Sequence, residues 1–128
     1  MRDIQALLKI IENDRRYPIE AYYFVLEALF YTRKKLKKEK HVTGQELLGG
    51  IKDLALKRYG SMSKAVFEHW GVTKTIDFGN IVFNMVNEKI LSKTEEDSLV
   101  DFQDIYDFDE IFVKNYHFEI EEKTNGKK

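Results

Sequence analysis

Apolar residues recur at i, i+3, i+4 and i+7 along five successive runs of this chain, and one proline, Pro18, stands between the first run and the second. That spacing puts the apolar side chains of each run on one face of an α-helix, so the chain must bury helix faces against one another. With 128 residues, 43 % of them hydrophobic, there is enough apolar material for one core. Disorder needs low hydrophobicity and high net charge and is excluded.

Ile4, Leu7, Leu8 and Ile11 mark the first run; the polar stretch from Asn13 to Tyr17 separates it from a second that opens at Pro18, a position a first helical turn tolerates. The second run extends to about Lys38 with a stripe of Tyr22, Val25, Leu26, Leu29 and Phe30, widened by Tyr23, Phe24 and Tyr31. It is expected to be the central, most buried helix, and the cations in its last turns suit the negative end of the helix dipole. Thr43-Gly44-Gln45-Glu46 has the form of a capping box and starts a third helix carrying Leu47, Leu48, Ile51, Leu54 and Ala55 on one face, with Gly60 as its stop. Gly49 and Gly50 inside that helix each cost up to about 1 kcal/mol against alanine. Close backbone packing is the expected compensation, with a kink or a ligand's approach as alternatives.

Ser61 or Ser63 can cap a short fourth helix with Met62, Ala65, Val66, His69 and Trp70 on its stripe, ending at Gly71. Thr75 can cap a fifth with Phe78, Ile81, Val82, Met85 and Val86. Short helix, tight turn and longer helix give a helix-turn-helix outline. Ile90-Leu91-Ser92, an acidic tip at 94–98 and the alternation of 102–106 suggest a β-hairpin, as in a winged helix. A last helical turn is expected over 108–113 behind Asp107, a short strand over 116–120 and a disordered tail over 123–128. The expected fold is thus mainly α with a small C-terminal β element, in a single domain over 1–122.

The formal charge of −1 hides a dipolar chain: residues 1–64 hold 14 Lys/Arg against 8 Asp/Glu, and residues 65–128 hold 7 against 14. Arg33, Lys34, Lys35, Lys37, Lys38 and Lys40 form the basic block, and Glu95, Glu96, Asp97, Asp101, Asp104, Asp107, Asp109 and Glu110 the acidic one. Such segregation marks contact surfaces, but the blocks can equally face each other within the fold or across a dimer.

Several chemistries are absent from the pattern. No cysteine means no disulfide, thiolate zinc site, iron–sulfur cluster or cysteine nucleophile. The residues from Met1 lack the basic start and apolar core of a secretory signal, and Ile19 to Tyr31, broken by Glu20 and Glu27, falls short of the roughly 20 apolar residues of a membrane span. Neither export nor a membrane is expected. There is no Rossmann or Walker A glycine pattern; Gly49-Gly50-Ile51-Lys52 has the wrong spacing and lies in a helix. His41, His69 and His117 form no His-x-x-x-His pair. Asp101, Asp104, Asp107, Asp109 and Glu110 offer oxygens to a hard cation but lack the order of a calcium loop, so a solvated or partner-facing face is expected and no metal or cofactor. No nucleophile elbow surrounds any serine.

His69, on an apolar stripe beside Trp70, is expected to be a core or interface histidine; the enzyme or small-ligand alternative needs a polar pocket formed by Gly49, Gly50, His69 and Trp70. For nucleic acid, the Arg33 to Lys40 cluster can neutralise phosphates, with Tyr31 and His41 placed to stack on bases. The fifth helix, however, offers mainly Asn80, Asn84 and Asn87 to base edges, and the expected hairpin tip is acidic.

The segments Tyr17-Pro18-Ile19-Glu20-Ala21-Tyr22, His41-Val42-Thr43-Gly44-Gln45-Glu46-Leu47-Leu48, His69-Trp70-Gly71-Val72, Asp77-Phe78-Gly79-Asn80-Ile81-Val82-Phe83 and Tyr106-Asp107-Phe108 resemble a family of small bacterial proteins described as conserved hypothetical proteins. The chain departs from that pattern at Tyr59, where Phe is usual, and at Lys89, where Gly is common, which questions the turn after the fifth helix. The resemblance implies a bacterial cytoplasmic protein and brings no catalytic residue with it. The resulting expectation is a non-enzymatic protein-interaction domain, or one that self-associates, using Arg33, Lys34, Lys35, Lys37 and Lys38 as a basic contact surface and Asp101, Asp104, Asp107 and Asp109 as an acidic one. RNA or DNA binding through the basic cluster is the alternative, and an enzyme or small-ligand pocket near His69 the third.

Overall fold

The computed structural model describes residues 2–37, 42–91 and 98–114. Five α-helices carry the fold: α1 (Arg2–Asn13), α2 (Ile19–Leu36), α3 (Gly44–Tyr59), α4 (Ser63–His69) and α5 (Thr75–Asn87). Among the described residues there is no strand. The alternation over 102–106 therefore does not pair: Leu99–Phe102 is a 3-10 turn, and the expected hairpin is corrected there, while residues 94–97 of its expected tip, the strand expected over 116–120 and the tail from 123 lie outside the described residues. A π-helical turn, Asp109–Lys114, stands close to the last helical turn the sequence predicts, started by the Asp107 carboxylate, which accepts the Glu110 amide at 3.1 Å.

α2 is the central helix, burying Ala21, Tyr22, Phe24, Val25, Ala28, Leu29 and Thr32 and packing on α3, α5 and α1. The capping box forms as its residues require: Thr43 Oγ1 accepts the Glu46 amide and Glu46 Oε1 the Thr43 amide, both at 3.0 Å. Gly50 is the close-packed glycine, since a Cβ there would meet Thr32 of α2, whose Cβ would lie at 2.9 Å; Gly49 is exposed with open space around it. Close backbone packing therefore compensates Gly50 and not Gly49.

The core is aromatic. Phe67 of α4 lies 5.6 Å from Phe24, 5.1 Å from Phe78, 5.6 Å from Phe108 and 5.4 Å from Phe112, mostly edge-on, the arrangement ring quadrupoles favour. Ser63, Phe67 and, just past α4, Trp70 turn inward, so the expected stripe is met at Trp70 and at half-buried Val66, whereas Met62, Ala65 and His69 are exposed. Ser63 is not a cap either; its hydroxyl donates to the carbonyls of Ala55 and Gly60 at 3.0 and 2.8 Å. In α1, Leu7 and Ile10 are buried whereas Ile4 and Leu8 face outward, and in α2 Phe30 leaves the expected stripe for solvent.

Phe102 wedges the C-terminal segment between α3 and α5. A Cβ on Gly44 would stand 2.9 Å from its ring and one on Gly79 2.8 Å from its Cβ, so both helices reach it only through glycine. Thr75 is occupied with the same segment: Oγ1 donates to the Phe102 carbonyl at 2.5 Å and accepts the Ile105 amide at 3.1 Å. The expected cap of α5 is supplied by Asp77, whose carboxylate accepts the amides of Thr73 and Lys74 at 2.9 and 3.1 Å.

Candidate functional site

Two surface regions collect the chemistry. The first is the C-terminal end of α2. Arg33, Lys34 and Lys35 occupy its last turn, where cations meet the negative end of the dipole, and Lys37 closes it with φ 56°. Lys35 pairs with Asp53 of α3, which raises its pKa. Tyr31, half-buried, has the Lys57 ammonium 5.0 Å from its ring centre and the Lys35 ammonium at 6.0 Å, so its face is already covered and does not offer the base-stacking platform the sequence suggested. No carboxylate among the described residues pairs with Arg33, Lys34 or Lys37. Lys38, Lys40 and His41 lie outside the described residues.

The described part of the basic block does not meet the described part of the acidic one. Among the described residues no ion pair joins 33–37 to 101–110; Lys64 instead bridges Asp109 at 3.0 Å and Glu68 at 3.2 Å. Most of the expected acidic surface is spent locally. Asp101 accepts the Ser98 amide at 2.9 Å and Asp107 caps the last turn, while Asp104, at φ 51°, is exposed on a cleft of about 450 Å³ beside Lys74 and Glu110. Among the described residues no group of three or more His, Asp or Glu side chains is placed to hold a metal ion.

The second region is a cleft of about 540 Å³ between the α1–α2 loop and the end of α4, lined by Arg15, Arg16, Tyr17, Glu20, His69 and Trp70 among others. His69 is exposed on its rim, so of the expected core or interface histidine the core alternative is corrected. Trp70 is buried behind it, and Gly49 and Gly50 do not line this cleft, so the four residues expected to form one pocket divide between two places. Gly71 makes the junction possible. It has φ 78°, and a Cβ would sit 2.7 Å from the Arg16 carbonyl oxygen.

Behind the cleft runs a polar network that the sequence did not disclose. Arg16 Nη2 and Nε hold Asp14 at 2.7 and 2.9 Å, which keeps the Asp14 carboxyl well below the usual carboxylate range. The Tyr17 hydroxyl donates to Asp77 at 2.6 Å and accepts from Asn80 at 3.0 Å; burial first, then the Asp77 carboxylate, push its pKa up to about 12. Asn84 Nδ2 bonds Asp14 and the Tyr22 hydroxyl, both at 3.0 Å. Asn80 and Asn84, the side chains expected to read base edges, are therefore turned inward. Their i, i+4 spacing on α5 was the available signal, together with the place of Tyr17 and Asp77 in the resembling segments.

Among the described residues no helix is long and apolar enough to cross a membrane. Comparisons with protein-family models, curated proteins and solved structures give no match.

Proposed function

We propose that this domain acts by binding a protein partner through the basic end of α2, as a cytoplasmic interaction module rather than an enzyme. The observation that supports it is the juxtaposition of Arg33, Lys34 and Lys37, without carboxylate partners among the described residues, with Phe30, whose side chain is 67 % exposed. A cation-rimmed apolar residue on a regular helix is chemistry suited to an interface, where the apolar contact supplies affinity and the charges supply choice of partner. The acidic residues, largely engaged in caps and in the Lys64 pair, play the smaller part.

The inward bonds of Asn80 and Asn84 leave α5 little with which to read a major groove. Nucleic acid is thus referred to the basic cluster alone. The test is capture of partners on tagged protein in lysate of the native host, with and without nuclease, by wild type and by the Lys34→Glu/Lys37→Glu variant. Nuclease-resistant, stoichiometric protein partners lost on charge reversal are expected. Partners that vanish with nuclease, or survive charge reversal, contradict the reading.

A further inference from the structure

The cleft beside the start of α2 has two walls and a floor. Arg15 and Arg16 of the α1–α2 loop and Glu20 of α2 stand on one wall, and Glu68 and His69 at the end of α4 on the other. Gly71 closes the base, where a side chain would run into the Arg16 carbonyl. Between the walls lie apolar groups: half-buried Ile11 and Pro18, and the buried rings of Tyr17 and Trp70. An apolar floor under a few polar groups, in about 540 Å³, is the make-up of small-molecule sites.

Two of the charges on the walls are already answered. Arg16 is held by Asp14, with its guanidinium carbon 5.2 Å from the centre of the Tyr17 ring, and Glu68 pairs with Lys64 at 3.2 Å. The side chains of Arg15, Glu20 and His69 are exposed and have no hydrogen-bond or ion-pair partner among the described residues. One cation and one carboxylate thus line a single cleft without pairing with each other. Whatever fills the cleft takes water from both, and a charge that loses water without gaining a counter-charge costs free energy. A simple anion would meet Arg15 and leave Glu20 opposed; a simple cation would do the reverse. A small molecule that carries both charges answers both residues.

We infer that this cleft binds a free α-amino acid with an apolar side chain, its carboxylate toward Arg15, its ammonium toward Glu20 and its side chain on the floor of Ile11, Pro18 and Trp70. His69, on the facing wall, can donate to the carboxylate or accept from the ammonium. The cleft is distinct from the contact surface proposed above: the 18 residues of α2, about 27 Å at 1.5 Å per residue, separate the two ends. Loss of one therefore leaves the other intact.

Trp70 is the only tryptophan of the chain and lines the cleft, so its emission reports occupancy without a label. The full chain is titrated with L-leucine, with L-leucinamide, which lacks the carboxylate, and with N-acetyl-L-leucine, which lacks the ammonium. L-Leucine is expected to change the emission saturably, and each blocked form to bind at least about tenfold more weakly, the effect of one lost charge-assisted hydrogen bond. Arg15→Gln should abolish the preference for leucine over leucinamide and keep that over N-acetyl-leucine, and Glu20→Gln the reverse, a crossed pattern that a merely structural role would not give. Both side chains are exposed, so both variants should fold, which melting curves verify. The absence of a saturable response to L-leucine in both emission and calorimetry overturns the inference. So does a blocked form that binds as tightly as leucine, or a preference that neither variant changes. Glycine binding as tightly as leucine would leave the apolar floor without a role and overturns it too.

Discussion

Among the described residues, three non-glycine residues hold positive φ: Lys37 at 56°, Lys89 at 62° and Asp104 at 51°. Lys89 ends α5 as Gly71 ends α4. In each case the following amide bonds back five residues, Ile90 to the Met85 carbonyl at 2.9 Å and Val72 to the Phe67 carbonyl at 2.8 Å, which is the Schellman geometry. The turn after α5 thus forms with lysine where the resembling pattern has glycine, at the strain a side chain incurs in left-handed backbone. Lys89→Gly should stabilise the domain by about 1 kcal/mol, read as a higher melting temperature. Gly71→Ala should destabilise it by about 2 kcal/mol or more, because strain and the Arg16 carbonyl act together. Equal effects of the two substitutions would contradict this account of the caps.

The cleft network gives a second residue-scale prediction. Tyr17→Phe leaves Asp77 and Asn80 each short of a partner and should cost about 1–3 kcal/mol. Its pH dependence has a definite sign. The folded pKa of Tyr17 lies above the unfolded value, so its contribution is complete below pH 10 and is lost as pH rises through about 12. Asp14 is displaced the other way, so its contribution is present above the ordinary carboxylate range and fades as pH falls below it. Stability measured against pH should show a weaker alkaline limb in Tyr17→Phe and a weaker acid limb in Asp14→Asn. Limbs unchanged from wild type would remove the network from the stability account.

At the scale of elements, what was legible in the sequence was what is settled within one turn. The capping box of α3 spans four residues, and both of its bonds are present. Helices α1 to α5 follow their periodic runs for the same reason. The stripe expected on α4 was only partly met because a 3-10 turn, Gly60–Met62, leads into a helix of only seven residues. Three residues per turn at its start shift the stripe, and seven residues are too few to restore it. Phe67 therefore went unnoticed as the hub of the core; Phe67→Ala should cost about 3–5 kcal/mol in chemical denaturation, and a cost near zero would refute its central place. The 102–106 alternation misled for another reason. What decides the conformation of Phe102 is the pair of glycines on α3 and α5, 58 and 23 residues away in sequence. Tyr17 and Asp77 meet across 60 residues, so neither the network nor the cleft it backs had a local signature.

At the scale of the whole molecule, the charge asymmetry of the chain does not become two facing patches among the described residues. Among the described acidic residues, Asp101 and Asp107 are taken up in caps and Asp109 in the Lys64 bridge, whereas the basic end of α2 retains Arg33, Lys34 and Lys37 beside exposed Phe30. Screening should weaken a contact carried by those cations, but only in part if apolar burial supplies the rest. On the proposal above, this end of α2 is where a protein partner sits. The direct measurement places the photo-crosslinker p-benzoylphenylalanine at position 34 in living cells, with the exposed Gln103 position as control. A discrete protein adduct is expected from position 34, resistant to nuclease and absent from position 103. Adducts to nucleic acid, or the same protein adducts from both positions, would contradict it.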